Sequence, residues 1–164
     1  APGGTMEMVE KAKKEGKIRF VGFSAHSVEA AMLAMSKYDF DTIMFPFNFA
    51  TWYAGAFGPQ VYARALEKNM GILALKAMAL TRLKQGEQKY HKNVWYKPVQ
   101  DSETMKTALR FTLSKDITAA IPPGESTLFL KALEFMKDFS PITAQEAEEL
   151  EKLASVTEPI FRHG

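Results

Sequence analysis

Four short apolar runs, beginning at residues 18, 42, 72 and 117, alternate with single helix-like segments along the chain. This alternation constrains the fold more than any other feature. The runs Ile18-Arg19-Phe20-Val21-Gly22-Phe23, Thr42-Ile43-Met44-Phe45, Ile72-Leu73-Ala74-Leu75 and Ile117-Thr118-Ala119-Ala120-Ile121 are β-rich and apolar on both faces. The segments between them carry helix punctuation. The first, residues 5–15, stops at Gly16, and the next, 28–36, follows Ser27 as N-cap. Pro59 opens a helix through residue 69 that Gly71 terminates, and Asp101 or Ser102 caps another to about residue 114. Helices over 127–137 and from 144 onward complete the chain, the last with Thr143 and Glu146 as a capping box. Strands joined by single helices run parallel and are buried under those helices.

Four parallel βα units are half of an eight-fold barrel of about 250 residues. The expected fold is therefore α/β, a half TIM barrel with an extra C-terminal helix. An open four-stranded α/β sheet satisfies the same periodicity. The expected domain is residues 1–164, with 80–100 as a long irregular loop rich in Lys and Gln.

Composition removes several function classes. There is no Cys, which excludes disulfides, thiolate zinc sites and Cys nucleophiles, and fits a reducing cytoplasm. A formal charge of +2 provides no field for nucleic acid or anionic membrane. The apolar runs are far shorter than the roughly 20 residues of a spanning helix, and Ala1–Thr5 carries neither a basic nor an apolar leader region. No metal-ligand spacing, GxGxxG or Walker loop is present.

Five segments, in order, resemble the aldo-keto reductases. Gly16-Lys17-Ile18-Arg19-Phe20-Val21-Gly22-Phe23-Ser24 is similar to that family's fifth barrel strand, and Phe40-Asp41-Thr42-Ile43-Met44-Phe45-Pro46-Phe47-Asn48 to its sixth. Gly71-Ile72-Leu73-Ala74-Leu75-Lys76-Ala77-Met78 resembles the seventh. Ala108-Leu109-Arg110-Phe111-Thr112-Leu113, followed by Ala120-Ile121-Pro122-Pro123-Gly124, resembles the helix before strand eight and strand eight itself. Pro141-Ile142-Thr143 has a counterpart near the family's C-terminus.

The resemblance implies an oxidoreductase that transfers hydride from NADPH to a small carbonyl substrate. It also implies that the catalytic Tyr, Lys, Asp and His belong to the first four βα units, which these residues do not match. Tyr38, Tyr53, Tyr62, Tyr90 and Tyr96 match loops and helices of the second half. The implied cofactor residues are Ser24 and Asn48 for the nicotinamide, and Gly124 and Ser126 for a phosphate at a helix N-terminus. Departures from the family pattern lower the expected affinity for NADP. Ala25 replaces an Asn, Met44 stands where many members have Gln, and Leu75 replaces a stacking aromatic. Pro123 and Phe129 stand where NADPH-specific members place Lys and Arg, and Glu125 brings a negative charge to the phosphate region.

Other readings start from the same residues. Gly22-Phe23-Ser24-Ala25-His26 resembles a nucleophile elbow, which would make Ser24 a hydrolase nucleophile, but His26 replaces the final Gly. Lys76, at a strand's carboxyl end, is the one candidate catalytic side chain, as base or Schiff-base nucleophile; a solvated strand-end Lys is the plainer account. Trp52, Tyr53, Phe57, Trp95 and Tyr96 should gather on the same rim, as a stacking surface or as a core cover. The run Ala30-Ala31-Met32-Leu33-Ala34-Met35 suggests a helix buried on more than one side.

A half barrel leaves strand edges and inward side chains uncovered, here expected to include Val21, Met44, Phe45, Leu73 and Ala120. The expected remedy is a homodimer or higher oligomer, and a non-catalytic, partner-completed half barrel is the alternative to a reductase. The residues also suit a piece of a longer enzyme, whose upstream part would hold the catalytic set.

Overall fold

The computed structural model describes residues 4–164; residues 1–3 of the expected domain and leader region lie outside the described residues. Helix α1 (Thr5–Lys14) ends as the sequence predicts. Gly16 takes a positive φ of 71°, and the amide of Lys17 donates to the carbonyl of Ala12 at 2.9 Å. Strand β1 (Gly22–Ser24) follows, then α2 (Val28–Lys37), whose N-cap Ser27 accepts from the Ala30 amide. Strand β2 (Thr42–Pro46), a short helix α3 (Phe49–Tyr53), α4 (Pro59–Glu67) and β3 (Gly71–Leu75) come next. A hairpin-like pair, β4 (Ala79–Arg82) and β5 (Tyr96–Pro98), precedes α5 (Ser102–Leu113). Strand β6 (Ala119–Ile121), α6 (Ser126–Phe135) and α7 (Ala144–Ser155) complete the order, α7 starting at the expected Thr143–Glu146 capping box.

The main sheet has strand order β1-β2-β3-β6, all pairs parallel. Its register aligns Ser24, Met44, Leu73 and Ala119 across the four strands. The expected α/β class and parallel strands are therefore present. Residues 80–100, expected to be irregular throughout, contain part of β4 and all of β5, an antiparallel pair with a register shift between Ala79 and Thr81. The pattern was hidden because the strands are short and separated by a long polar connection. Strand β1 is shorter than its apolar run. As an edge strand it has one partner, and Phe20 before it is largely exposed.

Burial alternates along the inner strands, and this corrects the expected open face. Ile43 and Phe45 of β2, with Ile72 and Ala74 of β3, are buried against Val28, Ala31 and Met35 of α2 and Val61 and Ala65 of α4. Met44, Leu73 and Leu75 point to the opposite side and are only partly covered. Side chains on a strand alternate, so Met44 and Phe45 cannot share a face. Phe45 belongs to the helix-covered core, Ala120 packs on the second core, and Val21 is buried. Helix α2 is buried on one side only: Ala31 and Met35 are covered while Leu33 is exposed, against the expected burial on more than one side.

A second core joins α5, α6 and α7 to the β4–β5 pair through Met78, Val94, Met105, Phe111, Leu128 and Leu150. None of the helices among the described residues is long and apolar enough to cross a membrane.

Candidate functional site

Because the four strands are parallel and adjacent, the residues that follow them gather along one rim. Ser24 closes β1, Asn48 follows β2, Lys76 follows β3, and Gly124 follows β6. Two main-chain bonds tie the rim together. The Ala25 amide donates to the Met44 carbonyl at 3.2 Å, and the Phe47 amide to the Leu75 carbonyl at 2.9 Å. All the sequence-predicted site residues thus occupy one end of one sheet.

Their environments differ. Ser24 is exposed on the strand that forms the sheet edge. Asn48 is completely buried. Its Oδ1 accepts from the Thr51 amide at 3.0 Å and so caps α3, while its Nδ2 has no hydrogen-bond partner. Flipping the amide would point two donors at one another, so the cap fixes the orientation. An orphaned buried donor of this kind costs about 1–3 kcal/mol.

Lys76 takes a positive φ of 68°, a strained conformation for a residue with a Cβ. Its ammonium lies 4.8 Å from the Tyr96 ring centroid and 5.4 Å from that of Trp95. It makes no ion pair among the described residues, and burial lowers its pKa. Tyr96 is no substitute acid. Burial pushes its phenol up to about 12, the wrong direction for proton donation near neutrality.

The Gly124–Ser126 turn opens α6. A Cβ at Gly124 would meet nothing within 4 Å, so a ligand has room to approach the backbone. Glu125, the N-cap, provides no side-chain cap, and its Oε2 accepts from the Asn93 amide at 3.4 Å. Phe129 is partly exposed nearby on α6, a position without positive charge.

The residues therefore fit a nicotinamide dinucleotide in part. Ser24 and the unpaired Asn48 donor suit a carboxamide, although Asn48 lies beneath α3. The open turn suits a phosphate, but Pro123 and Phe129 are uncharged and Glu125 is acidic, so none of the three offers a cation to a 2′-phosphate.

Among the described residues no hydrogen bond joins Ser24 to a histidine. The His26 ring packs 5.7 Å from that of Phe161, and His163 pairs with Glu29 at 2.8 Å. The nucleophile-elbow reading thus lacks its base. No group of three His, Cys, Asp or Glu among the described residues is placed to hold a metal.

The segment after α7 carries no helix or strand, yet it packs as a strap against the rim. Phe161 stacks on Phe57 at 5.0 Å and lies 6.0 Å from Trp95. Ile160 is completely buried and its carbonyl accepts from Arg82 Nε at 2.8 Å. Arg162 donates to the Ala54 carbonyl and the His163 amide to that of Gly55. The only advance signal was the apolar Ile160-Phe161 pair in a polar terminus. The expected aromatic rim is likewise divided: Trp95 meets this strap, whereas Trp52 and Tyr53 pack on Phe111 of α5.

Comparison with known proteins adds three findings. The model of the aldo/keto reductase family matches residues 4–156. Among solved structures, the holo form of the aldo-keto reductase AKR11C1 from Bacillus halodurans superposes with a TM-score of 0.61 at 18% identity, covering 98% of this chain and 60% of that one. The glycerol dehydrogenase AKR11B4 from Gluconobacter oxydans gives a TM-score of 0.56 at 18% identity, covering 95% of this chain and 55% of that one. The chain thus spans little more than half the length of these structures. No curated protein sequence matches.

Proposed function

The chain belongs to the aldo/keto reductase family, and from that premise we propose that it forms the cofactor-facing half of a carbonyl-reducing barrel, with its four strands in the places of strands five to eight. The observation that carries this reading is the orphaned Asn48 donor on the rim that also holds Ser24 and the open Gly124 turn. When bound, a nicotinamide dinucleotide supplies hydride for reduction of a carbonyl. Ser24 and Asn48 orient the carboxamide, and the first-turn amides after Glu125 meet a phosphate. Lys76 is the rim's candidate for proton transfer to the carbonyl oxygen, since burial lowers its pKa and so makes its ammonium a stronger acid. The family's Tyr, Lys, Asp and His have no counterparts in this chain, so full reduction requires residues from outside it.

A second reading follows from the sheet's open face. Met44, Leu73 and Leu75 are partly exposed on a surface that a complete barrel would bury. Both sheet edges, β1 and β6, lack a second partner strand among the described residues. In this reading a second copy covers the face, and the chain serves as a partner-completed structural half.

Fluorescence titration of NADH and NADPH against the purified chain separates the two. The reductase reading expects binding of both, with little preference for NADPH because Pro123 and Phe129 offer no charge to the 2′-phosphate. Absence of binding at millimolar protein overturns it. A cytoplasmic location belongs to the same proposal.

A further inference from the structure

Between β6, α5 and α6 lies a cavity of about 190 Å³, and none of Ser24, Asn48, Lys76, Gly124 or Ser126 lines it. Three alanines explain why the space exists. Ala77 between β3 and β4, Ala120 on β6 and Ala132 on α6 all face it, and a methyl group cannot reach across. Every residue that lines the cavity is apolar, so no lining side chain carries a charge, a hydroxyl or an amide. A water held in a cavity needs about two to four polar partners, and these side chains provide none. The floor belongs to the second core, where Met78 and Leu109 are buried. Phe129 and Leu133 of α6 are 39% and 52% exposed, so the cavity is closed below and open past α6.

We propose that this cavity is a binding site for a small uncharged aromatic molecule of one or two fused rings. Its size sets the upper limit. An apolar cavity of about 150 Å³ takes up benzene, and this one holds somewhat more than a single ring. Its lining sets the charge. No side chain there could pair with an ionised group, and burying one alone costs more than the ring contacts return. The lining also favours an aromatic ring over an alkyl chain of equal volume. Met78 and Met136 bring thioethers, whose sulfur contacts with ring edges add to the area buried, and their flexible side chains adapt to the occupant's shape. Phe129 adds a ring at the mouth against which an occupant packs. While the cavity is empty, its lining atoms have no neighbours across the gap, and a bound ring restores those contacts. The site is independent of the proposed cofactor function, because the two share no residue.

The test titrates indole, with benzoate as the charged comparator, into the purified chain carrying ¹³C-labelled methionine methyl groups and follows them by NMR. Indole should shift the Met78 and Met136 methyls saturably, with half-saturation at about 0.1–1 mM for a ligand of this size. Met35 and Met70, buried in the other core, should not move. Benzoate should leave all four unchanged. Shifts confined to Met44 would place indole on the open sheet face and overturn the proposal, as would equal shifts with benzoate or none with indole. Met78 and Met136 signals that move with protein concentration but not with indole would assign the cavity to a contact between copies, which also overturns it. Ala132→Leu fills the space from α6 and should weaken indole binding at least tenfold while the melting temperature holds or rises. Should overpacking unfold that variant, Leu133→Ser alters only the exposed mouth and should weaken binding about threefold. Unchanged affinity in the folded variant overturns the proposal in either case.

Discussion

Arg110 of α5 and Glu146 of α7 form an ion pair that fastens the last helix to the fold. The guanidinium is almost fully buried. Its other nitrogens donate to the Ser140 and Pro141 carbonyls at 2.7 Å, so the connection before α7 is held by the same side chain. Glu146 also accepts from the Thr143 amide and hydroxyl as the capping-box partner. The Arg110 hydrogen bond first, and the Thr143 amide second, hold its carboxyl down at about 2.

A carboxylate with a depressed folded pKa stabilises the protein above its unfolded value and loses that contribution as pH falls through the folded one. The Glu146 contribution should therefore be complete above about pH 5 and fade toward pH 2. Because the carboxylate is partly exposed, solvent screening reduces it to about 1 kcal/mol. Glu146→Gln should lower the melting temperature at pH 7 and flatten the acid limb of stability against pH. An unchanged acid limb in thermal melts from pH 6 to 2 would show that the pair does not act this way.

The C-terminal strap supplies a second prediction. A Cβ at Gly55 would lie 2.5 Å from the Phe161 carbonyl oxygen and 2.7 Å from that of Thr51, both backbone atoms that cannot rotate aside. Gly55→Ala should lift the strap from the rim. Phe161→Ala should do so by removing its ring contacts with Phe57, His26 and Trp95, at about 2 kcal/mol for a partly buried aromatic. Hydrogen exchange should quicken at the His163 amide, which donates to the Gly55 carbonyl, in both variants. Protection that survives both changes would mean the strap is held by Ile160 alone.

The contrast between this strap and the sheet shows what the sequence could reveal. Strands β2 and β3 were legible because their residues are dictated by burial under α2 and α4, a local and periodic demand. Caps were legible for the same reason: Ser27, Asp101 and Thr143 each bond within three residues. Phe161 was not, since its partners lie about a hundred residues away and impose no period. Helix α3 escaped notice because it is five residues long and depends on a single cap, Asn48. The site residues were found by resemblance, but that Asn48 is both cap and unpaired donor required coordinates. The face to which Met44 and Phe45 belong was decided by pleat phase, which an unbroken apolar run conceals.

Asn48 gives the third prediction. Asn48→Ser keeps an oxygen that can accept from the Thr51 amide and removes the orphaned Nδ2. The two effects on stability nearly cancel, so the melting temperature should stay the same or rise slightly. Nicotinamide cofactor affinity should nevertheless fall about tenfold, one hydrogen bond's worth. A loss of stability without any loss of binding would leave Asn48 as a cap and nothing more.

The open sheet face carries the last prediction. Leu73 lies in the middle of β3, paired with Met44 on one side and Ala119 on the other, and points away from the helices that cover Ile72 and Ala74. If a second copy covers this face, its apolar area is removed from water only on association, at about 25 cal/mol per Å². The chain should then elute as a dimer whose fraction falls on dilution. Leu73→Arg places an unpaired charge in the centre of that contact while leaving the Ile43–Phe45–Ile72 core untouched. It should yield a monomer with unchanged helical circular dichroism, because a buried lone cation costs far more than the surrounding contact returns. Light scattering that shows a monomer for the unaltered chain at micromolar concentration would remove the second copy from consideration. A dimer that persists in Leu73→Arg would move the interface elsewhere, to the partly exposed Phe129 and Leu133 of α6.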